Sequence, residues 1–388
     1  MTKTPRPRII SIVAGAVALM TVAAACGSDD STGDEPVETA DAADTTDAPE
    51  QPAETDAAET TDAPEEPAET DPAPEPEPEP ETSEAASETV TATVGIANIA
   101  PVAALELVND GFTDGMQECT AVEATLDYRN AEGDGSQLAP IIAEFLDSDV
   151  DMILAISTPV LQATVAANEA DGRGTTVLFG AVTDPFAAGA AVGPDDKPEW
   201  LTGWQADAPV TGMFDIAAEV NPDATSIGVA YDPSQVNSEV ALAKMQAEAE
   251  TRGWTVETAT IGDSSEVGTA ANSLATRDID FFFVPTDSIL VNGLGGMVQV
   301  ADDFDIPMIA QDSGITQAGA AIGTGLDYYG DGRRNAEYAC EILQGNATAA
   351  DYPIVQFEDE LVRYSSSAAE AQGFEIPASV TDVGIDID

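Results

Sequence analysis

The sequence contains no histidine, and only 12 lysines and arginines against 72 aspartates and glutamates, for a formal net charge of −60. The first absence removes Ser-His-Asp and Cys-His nucleophilic catalysis, histidine-ligated zinc and histidine acid–base chemistry together. The second makes nucleic acid and anionic lipid poor partners, since both demand a basic face. No Walker-type phosphate loop occurs, and Lys197 and Lys244 fall in a loop and on a helix, so an enzyme is poorly supported. The residues indicate neither a cofactor nor a metal. Cysteine is confined to Cys26, Cys119 and Cys340.

A single long apolar run is present, "IISIVAGAVALMTVAAA", preceded by Lys3, Arg6 and Arg8 and with no basic flank beyond it. That pattern is an export signal, residues 1–25, not a membrane span. The run stops at "VAAACGSDD" (residues 22–30). Ala23, Ala24 and Ala25 before Cys26, with Gly27-Ser28 after it, resemble the lipobox of bacterial lipoproteins, although Ala23 stands where leucine is usual. The resemblance implies a diacylglycerol on Cys26 and an anchor on the outer face of the cell membrane. The alternative is a plain Ala-x-Ala cleavage site with Cys26 incidental.

From Cys26 to residue 91 the chain is Ala, Thr, Pro, Glu and Asp, with 23 of the acidic residues, no lysine, arginine or aromatic, and the run "DPAPEPEPEPE". It cannot bury enough apolar surface to fold and is expected to be a disordered tether. Proline and like-charge repulsion extend such a segment to a reach on the order of 100–200 Å, at about 3.1 Å per residue.

Beyond the tether, strands and helices alternate. "TATVGIANI", "VEATLDYRN", "VDMILAIS" and "TTVLFGAV" carry strand patterns, separated by helical spacing over 102–118, 136–148 and 159–170. A second series follows, with strands at 225–232, 255–262 and 279–285 and helices at 209–220, 237–253 and 267–277. Two such series predict an α/β protein of two lobes, each a mostly parallel sheet flanked by helices. Ligands bind such sheets at the carboxyl ends of strands. There the sequence places "STP" (157–159), "VTDP" (182–185), "YDPSQVNS" (231–238), "PTDS" (285–288) and "QDSG" (311–314). Hydroxyls beside free N–H groups at a helix start suit a carboxylate; ordinary helix capping is the competing explanation for each cluster. Asp287 and Asp312 would suit an ammonium group. The run Phe281–Phe283 is expected in the core, Phe186 is a candidate for the cleft, and Tyr328 and Tyr329 are expected to pack at a hinge, with ligand contact second.

Taken together, "LDYRNAEGDGSQL", "ILAISTPVLQA", "FGAVTDPFAAG", "VPTDS" and "GLDYYGDGRRNAEYACEILQG" resemble, in order and spacing, the solute-binding component of bacterial ABC transporters, in the branch associated with tryptophan and other hydrophobic amino acids. The resemblance implies the type I periplasmic-binding fold, with lobe one at 92–206 plus 328–348 and lobe two at 207–327 plus 349–388. It implies cleft residues Ser157, Thr158, Thr183 and Asp184 on lobe one, and Asn237, Thr286, Asp287 and Asp312 on lobe two. Two positions depart from the family's pattern: Pro101-Val102-Ala103 replaces a Glu-His-Pro segment, and Ser288 replaces an asparagine. Cys119 and Cys340 would both belong to lobe one, either as a disulfide or as two buried thiols. The implied function is capture of a small ligand, a hydrophobic or aromatic amino acid, for delivery to permease and ATPase subunits. The alternative is a ligand-sensing receptor of the same fold that signals to a partner.

Overall fold

A computed structural model describes residues 89–388; the signal peptide, Cys26 and nearly all of the acidic tether lie outside the described residues. The first lobe opens with β1 (Val90–Asn98), α1 (Ala103–Glu118), β2 (Val122–Asn130), α2 (Leu138–Asp147), β3 (Met152–Ile156), α3 (Thr158–Asp171), β4 (Thr176–Val182) and β5 (Leu201–Gln205). The second contains α4 (Thr211–Val220), β6 (Ser226–Tyr231), α5 (Val236–Arg252), β7 (Thr255–Thr260), α6 (Val267–Ala275), β8 (Phe281–Val284), α7 (Ser288–Asn292), α8 (Gly295–Phe304), β9 (Met308–Ala310) and β10 (Ile322–Leu326). The chain then runs through α9 (Tyr328–Leu343), β11 (Val355–Gln356), β12 (Glu360–Tyr364), α10 (Ser366–Ala371), α11 (Ala378–Thr381) and β13 (Ile385–Asp386).

The sheet orders are β11-β5-β4-β3-β1-β2 and β13-β12-β10-β9-β8-β6-β7. All pairings are parallel except β10 with β12. This is the expected two-lobed α/β architecture. The central strands β3 and β8 are buried along their whole length, as near-continuous apolar runs in a parallel sheet must be. Phe282 enters the core on one face of the second sheet, and Phe281 and Phe283 enter that on the other, where Phe283 meets Phe214 at 4.8 Å between ring centroids.

The return to the second lobe comes later than the expected residue 349. β11 pairs with β5 in the first sheet, Phe357 packs in the first-lobe core, and Lys197 Nζ donates to the Ala349 carbonyl. The third crossing therefore falls between Phe357 and Glu360. A two-residue strand has no periodicity to read, and "LTGWQ" of β5, three of its five residues polar or glycine, offers little more.

Helices α1 and α9 pack with almost no gap. A Cβ on Gly111 would lie 2.1 Å from the Tyr329 carbonyl oxygen, and one on Gly332 would lie 2.1 Å from that of Val108. At the far end of the pair, Cys119 and Cys340 form a disulfide, with Cα atoms 6.0 Å apart. It joins residues separated by 221 positions, so it constrains a large part of the unfolded chain. Replacing both cysteines by serine is expected to lower unfolding stability by about 3 kcal/mol, read as a lower denaturation midpoint that reductant no longer shifts.

Candidate ligand-binding site

Between the lobes lies a narrow cavity of about 40 Å³. It gathers seven of the eight expected residues, Ser157, Thr158, Thr183, Asn237, Thr286, Asp287 and Asp312. Val102, Leu105, Val291, Ile315 and Tyr328 supply much of its apolar wall. The lobes meet across it, with the Thr183 and Thr286 hydroxyls 3.4 Å apart.

On the first lobe, Ser157 occupies the N-cap of α3 with φ 93°, and its side chain caps nothing. This backbone region is strained for a serine. Ser157 Oγ and Thr158 Oγ1 are buried without a hydrogen-bond partner. Helix capping therefore does not account for these two hydroxyls. The first-turn N–H groups of α3 lack intrahelical acceptors, as at any helix start, and Pro159 in that turn has no N–H to offer.

On the second lobe, Asn237 Nδ2 donates to the Thr286 carbonyl, which fixes the amide orientation and leaves Oδ1 buried and unpartnered. Asp312 caps the short turn Ser313–Ala318 through a 2.6 Å bond from Gly314 N. Burial pushes its carboxyl up to about 7, against that bond and the attraction of Arg363. Burial, with Asp312 the first of the surrounding charges, also pushes the Tyr328 phenol well above its ordinary value.

Asp287 differs from Asp312 in kind. Its carboxylate accepts from Asp232 N at 2.6 Å, Ser238 Oγ at 2.7 Å, Leu290 N at 2.9 Å, and Ile289 N and Gln235 Nε2 at 3.0 Å. Burial pushes this group up, opposed by those donors. With five donors already in place, it is a structural hub beneath the cavity, not a free acceptor for an ammonium group. Asp184 is the expected residue that the cavity leaves out. Its Oδ1 accepts from Phe186 N and Ala187 N, so it caps a turn, and no helix follows it.

Residues 93–384 match the family model of the ABC transporter substrate binding protein. The chain belongs to this family. It is 28% identical over 269 residues to a tyrosine-binding protein of Clostridioides difficile, covering 69% of this chain and 76% of the relative. A conserved domain protein from Vibrio cholerae superposes with a TM-score of 0.71 at 26% identity, over 76% of this chain and 99% of the other. The fold is also that of an ABC domain in complex with L-Trp from Streptococcus pneumonia, with a TM-score of 0.68 at 24% identity, over 75% and 98% of the two chains.

Both departures from the family pattern, Val102 and Ser288, fall on the wall of this substrate-binding protein's cavity, and Ser288 Oγ donates to Gln235 Oε1 at 2.7 Å. Tyr328 lines the cavity, whereas Tyr329 is directed outward, its hydroxyl donating to Asp114. Phe186 packs on the first-lobe core and is not among the residues lining the cavity. Among the described residues, no cluster of three or more acidic or cysteine side chains is placed to hold a metal ion, and no helix is long and apolar enough to cross a membrane.

Proposed function

We propose that the chain captures an aromatic amino acid in the inter-lobe cavity and delivers it to the permease and ATPase subunits of an ABC importer, held to the outer face of the cell membrane by a lipid on Cys26. The observation that carries the ligand reading is the set of three buried, unpartnered polar atoms, Ser157 Oγ, Thr158 Oγ1 and Asn237 Oδ1, on residues of an otherwise largely apolar wall. Orphaned polar groups are costly unless something fills them. The hydroxyls and the α3 amides suit the ligand carboxylate. Asn237 Oδ1 and the Asp312 carboxylate suit its ammonium group, and Leu105, Ile315 and Tyr328 suit a ring. The tyrosine-binding relative supports the same class of ligand.

A thermal-shift screen of the free amino acids and their analogues tests this. A ligand at about 100 times its dissociation constant adds roughly 2.7 kcal/mol of stability. A best ligand that is a sugar, or an anion without an amino group, would sink the assignment. Thr158→Val is expected to cost about 1–2 kcal/mol of binding by titration calorimetry, because backbone N–H groups still hold the carboxylate. For the anchor, Cys26→Ser should release the protein from the membrane fraction, and unchanged retention would remove the lipid from the reading.

A further inference from the structure

Asp331 is absent from the cavity wall and has no exposed surface. It sits on α9, three residues after the cavity-lining Tyr328. Its Oδ2 accepts the Ala181 N–H at 2.8 Å, and its Oδ1 accepts from Asn335 Nδ2 at 2.8 Å. Ala181 has φ 53°, the left-handed region that a side chain bearing Cβ seldom holds without support. At the same place the register between β4 and β5 shifts, between Phe179 and Val182. Such a bulge re-aims the residues that follow it. Here those are the residues that matter for a ligand, because Ala181 and Thr183 both line the cavity and Thr183 reaches Thr286 of the opposite lobe.

The surroundings leave Asp331 no slack. A Cβ on Gly180 would lie 3.0 Å from Asp331 Oδ2 and 2.8 Å from Val108 Cγ1, and Gly332 is already pressed against the Val108 carbonyl. Because α9 begins two residues after β10 of the second lobe, one buried bond joins the crossover helix to the bend in the first-lobe wall.

We propose that Asp331 is a positioning residue for the ligand: from α9 it holds the Ala181 bend and so aims Thr183 into the cavity. The proposal rests on the amino-acid reading above, but part of its test does not. In the empty protein, Asp331→Ala should speed hydrogen exchange at the Ala181 amide at least tenfold, while Asp331→Asn, which keeps an acceptor oxygen, should stay within about threefold of the parent. With L-tyrosine as the calorimetric probe, Asp331→Ala should weaken binding tenfold or more and Asp331→Asn by less than about threefold. In a Thr183→Val background the cost of Asp331→Ala should shrink to less than threefold, since two residues acting through one contact are not additive.

Unchanged exchange at Ala181 in Asp331→Ala would overturn the proposal, as would an undiminished cost in the Thr183→Val background, or an Asp331→Asn variant as impaired as the alanine one. If Asp331→Ala does not fold, Asp331→Ser, too short to reach Ala181, takes its place in every comparison. A parent protein that binds no L-tyrosine would count against the amino-acid reading, and the exchange measurement on the empty protein would still decide the role of Asp331.

Discussion

Asp312→Ala is expected to weaken amino-acid binding by 10²-fold or more while leaving the melting temperature of the empty protein nearly unchanged. The carboxylate has one short hydrogen bond, from Gly314 N, and lies on the cavity wall. Its removal costs the protein one cap of a short turn, but on the proposed reading it costs a bound ligand the counter-charge to its ammonium group. Leaving a buried charge without its partner typically costs about 3–5 kcal/mol, and a factor of 10² is about 2.7 kcal/mol. Titration calorimetry beside a thermal melt checks both halves. Parent-like affinity in the variant would remove Asp312 from the site.

Asp287→Ala should do the opposite, and fail first as a fold. Five donors converge on this carboxylate, three of them backbone N–H groups of Asp232, Ile289 and Leu290. Alanine would strand them in a region closed to water, each at about 1–3 kcal/mol, so a loss of about 4 kcal/mol or more is expected in chemical denaturation. Asp287→Asn keeps one acceptor oxygen and should recover part of that loss. An alanine variant as stable as the parent would show that the hub carries little of the lobe's stability.

Asp287 and Asp312 look alike in the sequence: each ends a strand, and each precedes a small polar residue. What separates them is the set of groups brought from elsewhere, since Gln235 and Ser238 lie some fifty positions before Asp287, and their own polar cluster carries no sign that it closes on that carboxylate. The same reason governs the other differences. Asp184 shares the motif that places Thr183 in the cleft, but its carboxylate is consumed by the amides of Phe186 and Ala187. Tyr328 is legible as a crossover residue, with ligand contact only the second expectation, because the cavity wall it completes is built from α1 and the turn after Asp312. The repeating elements were readable since period and polarity are local properties. Ser157 and Thr158 were readable because strand end, hydroxyl, proline and helix fall within four residues. Asp331 was invisible for want of any such pattern; its partner is 150 positions away.

The unpartnered atoms of the cavity also set which shape the protein keeps when it has nothing to carry. Closing the lobes on an empty cavity takes Ser157, Thr158 and Asn237 out of water and returns them no partner, a penalty of about 1–3 kcal/mol for each. Burying Asp312 adds to it. A carboxyl raised to about 7 in the closed form favours that form when protonated, and the preference is lost as pH rises through 7. The unloaded chain is therefore expected to open at neutral pH and to close more readily in acid. On the proposed reading, a bound amino acid would relieve these costs together, so that cargo and latch would be the same molecule. Small-angle scattering of the empty protein at pH 5 and pH 8 should register the shift as a smaller radius of gyration at the lower pH, and Asp312→Asn should abolish it.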